Sequence, residues 1–204
     1  MNARMTQHEK TFKLTVLALL TALIIALQVM SNFISFGPIS MTLALTPIII
    51  GAAIYGPKTG ALLGFLFSVV VYVTGLMGLD KGFVNLMMSY SALGTTVLCL
   101  LKGTLAGWVS GICYRALKKA PDTLRSITAA ALTPIVNTGV FALGMLTIFY
   151  GFLAGNAAEG EDPIKMLFLA WIGVNFIVEF ITNLVLGSVL TPVLSYFNKK
   201  YKSN

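Results

Sequence analysis

Along the chain, apolar residues gather into six runs, at about 13–33, 41–55, 59–77, 91–116, 126–152 and 164–197. Runs of this length with so few charges predict transmembrane helices, because about 20 apolar residues are needed to cross the hydrocarbon core. The second run is short for a bilayer and contains Pro47, so a bent or partly spanning helix is expected there. The sixth is long enough to require tilt, or an end lying in the interface. The clearest boundary is the Gly56-Pro57-Lys58-Thr59-Gly60 turn inside the stretch Gly37 to Phe67, where Pro and Gly stop one helix and allow another to start. No repeat of about 20 to 50 residues and no linker interrupts this order. The expectation is one membrane domain over residues 1–204.

Composition agrees: 57% of residues are hydrophobic and 10% charged, with a mean hydropathy of +0.87. A soluble domain has too much surface for so few charges. The expected fold class is an all-α integral membrane protein, with six transmembrane helices in one compact bundle. The net charge of +7 raises nucleic acid as a partner, but most basic residues sit at the ends of apolar runs and read better as topology. Arg4, Lys10, Lys13, Lys58, Arg115, Lys118, Lys119, Arg125, Lys199, Lys200 and Lys202 fall on one side, Lys81 and Lys165 on the other. The positive-inside rule then places both termini in the cytoplasm and no nucleic acid is expected. The first run follows three basic residues, as a signal peptide would. It is long for one and no A-x-A cleavage site precedes Gly37-Pro38, so a retained helix is expected.

Several chemistries are disfavoured. Cys99 and Cys113 lie on one predicted helix, about 21 Å apart at 1.5 Å per residue, too far for a disulfide. His8 sits in a polar tail, so no metal constellation assembles and no cofactor is expected. There is no G-x-x-x-x-G-K-[ST] loop, no G-x-S-x-G and no H-E-x-x-H. The chain is not expected to be an enzyme.

Polar residues deep in membrane segments carry the sharpest signal, since each is costly unless paired or facing a cavity. Lys102 lies near the middle of the fourth run, Asn137 of the fifth and Glu179 of the sixth. Trp171, Asn175 and Glu179 recur every four residues and share a helical face, with Asn183 drifting off it; Thr133, Asn137 and Phe141 do the same. One reading is a binding pocket in which Lys102 holds an anionic group, Asn137 and Asn175 bond amides or hydroxyls, and Trp171 and Tyr90 cover an apolar part. The other is a structural Lys102–Glu179 ion pair, with the asparagines joining helices. The connections Ser31–Ser40, Gly78–Tyr90 and Ala154–Pro163 carry Phe33, Phe36, Phe83, Asn85 and Tyr90. They are either a lid over an outward cavity or solvated loops. A third signal is small residues at four-residue spacing: Ala18, Ala22 and Ala26; Gly60 and Gly64; Gly103, Gly107 and Gly111. Such stripes let helices approach closely in lipid.

The runs Gly37-Pro-Ile-Ser-Met-Thr-Leu and Pro47-Ile-Ile-Ile-Gly-Ala-Ala-Ile-Tyr-Gly-Pro-Lys-Thr-Gly-Ala-Leu-Leu-Gly64 resemble the substrate-binding S component of energy-coupling factor (ECF) vitamin transporters. Leu101-Lys-Gly-Thr-Leu-Ala-Gly107 and Pro134-Ile-Val-Asn-Thr-Gly139 are similar to the same family. The resemblance implies a subunit of the bacterial cell membrane that captures a vitamin from outside. It also implies partners, one transmembrane coupling subunit and two ATPases, on which ATP hydrolysis resides. Ala18-Leu-Leu-Thr-Ala22 matches that family's A-x-x-x-A motif for docking the coupling subunit, with Ala26 extending it. The Gly-Pro-Ile-Ser-Met-Thr stretch is most similar to the pantothenate-type branch, with riboflavin and folate as further candidates. The competing expectation is a stand-alone, gradient-driven solute transporter with Glu179 as its proton-coupled group.

Overall fold

The computed structural model describes residues 7–34, 38–39 and 42–202. Gly37, Ser40 and Met41 at the start of the Gly37–Phe67 stretch, Phe36 of the connection Ser31–Ser40, and Arg4 lie outside the described residues. The described residues form helices in the order α1 (Gln7–Ser31), α2 (Leu45–Tyr55), α3 (Pro57–Leu76), α4 (Phe83–Tyr90), α5 (Ala92–Ala116), α6 (Asp122–Thr147), α7 (Tyr150–Asn156) and α8 (Pro163–Lys165). A π-helical stretch, Met166–Ile172, then leads into α9 (Gly173–Lys202).

Among the described residues five helices are long and apolar enough to cross a membrane: α1, α3, α5, α6 and the helix running from Pro163 to Val189. α2 is shorter. Its 11 residues reach only about 16 Å at 1.5 Å per residue, roughly half the hydrocarbon thickness. Its place in the packing explains its sequence. α2 touches α1, α3, α5, α6 and α9, and Leu45, Ile48, Ile49 and Ala52 are fully enclosed. A helix surrounded on all sides has no face that needs a charge.

Local chemistry sets the ends. Gly56 adopts φ 93° and Pro57 opens α3 at its first position, where the missing N–H is no loss. Ser91 caps α5, its hydroxyl accepting from the Gly94 N–H at 3.2 Å, and the Asp162 carboxylate accepts from the Ile164 N–H at 2.9 Å. α3 and α5 lie against each other through glycines: a Cβ on Gly60 would run into the Gly107 carbonyl, and one on Gly64 into the Gly103 carbonyl. The glycine stripes are therefore an internal seam.

Two segments differ from the expectation. The fifth run, expected unbroken over 126–152, begins earlier at Asp122 and ends at Thr147; after Ile148 and Phe149 the chain starts the separate α7. Phe149 is fully buried there, so the break turns an aromatic anchor inward while the surrounding sequence stays apolar. The connection Gly78–Tyr90, expected as loop, contains α4. Asp80 starts it, its carboxylate accepting from the Gly82 and Val84 N–H groups at 3.1 and 2.8 Å. That helix needs no membrane-spanning length to be stable, because Phe83, Val84 and Met87 are buried against the bundle.

Lys13, Arg115 and Arg125 gather at one end. The Lys13 ammonium lies 5.3 Å from the Tyr55 ring centroid, Arg115 donates to the Tyr55 carbonyl at 3.3 Å, and Arg125 stacks on Tyr114 at 4.0 Å. The helix ends bearing Ser31, Leu45, Leu76, Ala92 and Thr147 form the opposite end of the bundle.

Candidate functional site

The mid-helix polar residues converge. α5 supplies Lys102, α6 supplies Asn137, Thr138 and Phe141, and the last helix supplies Ile172, Asn175, Phe176 and Glu179; with Ile39 and Thr42 they enclose one chamber of 40 Å³. A second chamber of 50 Å³ adjoins it, reached by Gln28, Asn32, Asp80, Phe83 and Met87. Ile39, Thr42, Lys102 and Phe141 line both. The two chambers lie in the half of the bundle away from the basic end, because Gln28 and Asn32 close α1 and Asp80 follows α3.

Lys102 and Glu179 do not form the ion pair that would close the site on itself. The ion pair found among the described residues is Arg125–Asp122 at 2.7 Å. The Lys102 ammonium instead sits over the Phe141 ring, 5.5 Å from its centroid. The buried Glu179 carboxyl takes hydrogen bonds from Thr42 and from the Asn137 side chain, and its Oε1 has no protein partner. Asn137 Oδ1 is likewise unpartnered. Two acceptors left bare at 4% exposure are unusual, since buried polar atoms are nearly always hydrogen-bonded.

The other site residues expected from sequence divide. Asn175 lines the chamber, but its Nδ2 donates to the Ile39 and Trp171 carbonyls at 3.0 and 3.1 Å, so it also ties the preceding segment to the last helix. Trp171 stands one layer back, edge-on to Phe83 at 5.6 Å between centroids, and lines neither chamber. Tyr90 packs on Phe149 and Phe152 at 5.9 and 5.8 Å, half exposed and outside both chambers. Asn85 is exposed, its Nδ2 donating to the Leu76 carbonyl at 3.4 Å; it secures the end of α3 and does not reach the chambers. Asn183 is buried but lines neither chamber: its Nδ2 donates to the Glu179 carbonyl at 2.8 Å and its Oδ1 accepts from Thr46 at 3.1 Å. That bond joins the last helix to α2.

Sequence reasoning missed Gln28, Asn32 and Asp80. Gln28 and Asn32, four residues apart at the end of an apolar run, were visible as a polar pair on one helical face. Asp80 was visible only as an acidic residue in a connection. Burial pushes its carboxyl above the ordinary value of 3.8, against the opposing pull of the Val84 and Gly82 N–H groups and of Lys102. Among the described residues no cluster of His, Cys, Asp or Glu has the makings of a metal site.

Ala18, Ala22 and Ala26 are exposed on α1, the helix with the least buried span. Leu19, Leu23, Ile25, Val29 and Met30 surround them, an apolar face left uncovered among the described residues.

No curated protein matches the chain. A family model described as ECF transporter, substrate-specific component, matches residues 12–195.

Proposed function

The chain belongs to the substrate-specific components of ECF transporters, and from that premise we propose that it captures a water-soluble vitamin around Lys102, at the paired chambers of 40 and 50 Å³, which must widen to take it because small-molecule sites run to about 300 Å³ or more. The observation that carries this reading is the convergence of Lys102, Asn137 and Glu179, from three different helices, on one chamber where two buried acceptors lack protein partners. Such unsatisfied atoms are stable only if something else bonds them. Pantothenate is the favoured ligand, from the resemblance of the Gly37–Thr42 stretch and the suitability of Lys102 for a small carboxylate. Riboflavin and folate are the alternatives.

The reading includes orientation. With both termini and the basic end facing the cytoplasm, the chambers lie in the outer half of the membrane, where a scavenged nutrient arrives. α2 then serves as a sixth, partly spanning helix inside a single membrane domain of a bacterial cell membrane. ATP hydrolysis belongs to two partner ATPases, linked through a coupling subunit that docks on the Ala18, Ala22 and Ala26 face. Close helix contact in lipid needs such small residues.

Purified chain reconstituted in liposomes tests the assignment. The S-component reading expects ligand binding by the chain alone and uptake only after the coupling subunit, the ATPases and ATP are added. Uptake by the chain alone along an ion gradient would instead favour a stand-alone transporter using Glu179.

A further inference from the structure

The second chamber contains a polar pair that the capture of a carboxylate at Lys102 does not use. Gln28 and Asn32 lie one turn apart on α1 and are 3% and 5% exposed. Gln28 Nε2 donates to Asn32 Oδ1 at 3.4 Å. That bond consumes one donor and one acceptor, and leaves Gln28 Oε1 and Asn32 Nδ2 without partners. Both residues line the chamber. One bare acceptor and one bare donor, on two side chains joined by their own bond, are together the complement of a group that offers both an N–H and a C=O.

We infer that Gln28 and Asn32 form an amide-reading subsite. The ligand places the N–H and C=O of an amide against them, the N–H to Gln28 Oε1 and the C=O to Asn32 Nδ2; a lactam or imide offers the two on one edge, and an acyclic trans amide offers them on opposite sides. This rests on the reading that the chambers hold the transported solute, and it adds which part of that solute each chamber takes. The remaining walls fit the assignment. Asp80, the carboxylate in this chamber, is engaged by the Gly82 and Val84 N–H groups. Phe83, Val84 and Met87 supply an apolar surround, which strengthens a hydrogen bond by excluding water. Lys102 and Phe141 stand between the chambers, so a ligand reaching both must displace that stacked pair. Its other end then meets Asn137 Oδ1 and Glu179 Oε1, two acceptors that call for hydroxyl, N–H or ammonium donors.

The test uses the full chain in lipid nanodiscs. Binding is measured for pantothenate, riboflavin and folate, which carry amide, imide or lactam groups, and for lipoate, nicotinate and pyridoxine, which do not. The subsite predicts that binders come from the first group, and that Gln28→Leu and Asn32→Leu each weaken the binder about tenfold or more, the scale of one lost hydrogen bond in a dry site. Asn32→Asp, which keeps the shape and removes the donor, guards against a folding defect in the leucine variants. The wild type should also discriminate against the amide-N-methylated form of the binder, and Gln28→Leu should not. Unchanged affinity in folded Gln28→Leu and Asn32→Asp, or binding confined to the second group, would overturn the subsite while leaving solute capture intact. Binding of no compound by the folded wild type would overturn both.

Discussion

The ammonium of Lys102 lies over the ring of Phe141, 5.5 Å from its centroid, and not in an ion pair with Glu179. A buried ion pair broken from one side leaves an uncompensated charge and costs about 3 to 5 kcal/mol. A cation over a ring is worth about 1 kcal/mol, somewhat more when desolvated. Lys102→Gln is therefore expected to change thermal stability little while weakening the capture of an acidic ligand about tenfold or more. Melting and binding curves recorded on the same preparation check this; a large loss of stability would restore the structural pairing.

Phe141 is expected to behave in the opposite way. It is buried among Phe83 and Met145 in the core cluster, so Phe141→Ala removes packing worth about 3 kcal/mol or more. It also merges the two chambers. Denaturation in mild detergent should show the loss, and ligand selectivity should broaden towards bulkier compounds.

The glycine seam makes a prediction about folding alone. Gly60 and Gly64 face the carbonyls of Gly107 and Gly103, which are backbone and cannot swing aside. Gly64→Val or Gly103→Val should destabilise by about 3 kcal/mol, at the upper end for overpacking, and reduce the yield of folded protein. Size-exclusion profiles would show it. Gly139, with nothing near the position of its Cβ, should accept alanine without such an effect.

Asp80 gives a pH dependence with a definite sign. Its carboxyl is held above the ordinary 3.8, chiefly by burial, so the folded chain binds this proton more tightly than the unfolded chain. Where the folded state holds more protons, stability falls as pH rises. The contribution is present below 3.8 and is lost as pH climbs from there through the raised folded value. Melting temperature measured across that acidic window should decline with pH in the wild type, and the decline should flatten in Asp80→Asn.

The alanine face of α1 should be silent in the isolated chain. Ala18→Leu and Ala22→Leu alter an exposed surface, so fold and ligand affinity should survive. Co-purification with the coupling subunit and uptake should be lost. Retained co-purification would remove this face from the docking surface.

Much of the bundle was legible because membrane helices are announced by length and polarity. The Gly56–Gly60 turn, the α5 boundaries and the convergence of Lys102, Asn137 and Glu179 all followed from where polar residues interrupt apolar runs. What was hidden depends on packing. Phe149 ends α6 by turning into the core, and no local signal separates it from its apolar neighbours. α4 forms where Asp80 caps it and Phe83 finds a pocket, both tertiary events. Tyr90 and Trp171 are aromatic and near the expected depth, yet they pack on Phe152 and support the chamber wall. The Lys102–Glu179 pairing was chemically reasonable; only the geometry shows the Glu179 carboxyl held by Thr42 and Asn137 instead.

Native mass spectrometry of the purified full chain, incubated with pantothenate, riboflavin and folate, tests the central claim most directly. The account predicts one vitamin retained per chain at a single stoichiometry, with the retained mass lost in Glu179→Leu and Asn137→Leu variants that still fold. A folded wild-type chain that shows only its bare mass after every incubation would contradict it.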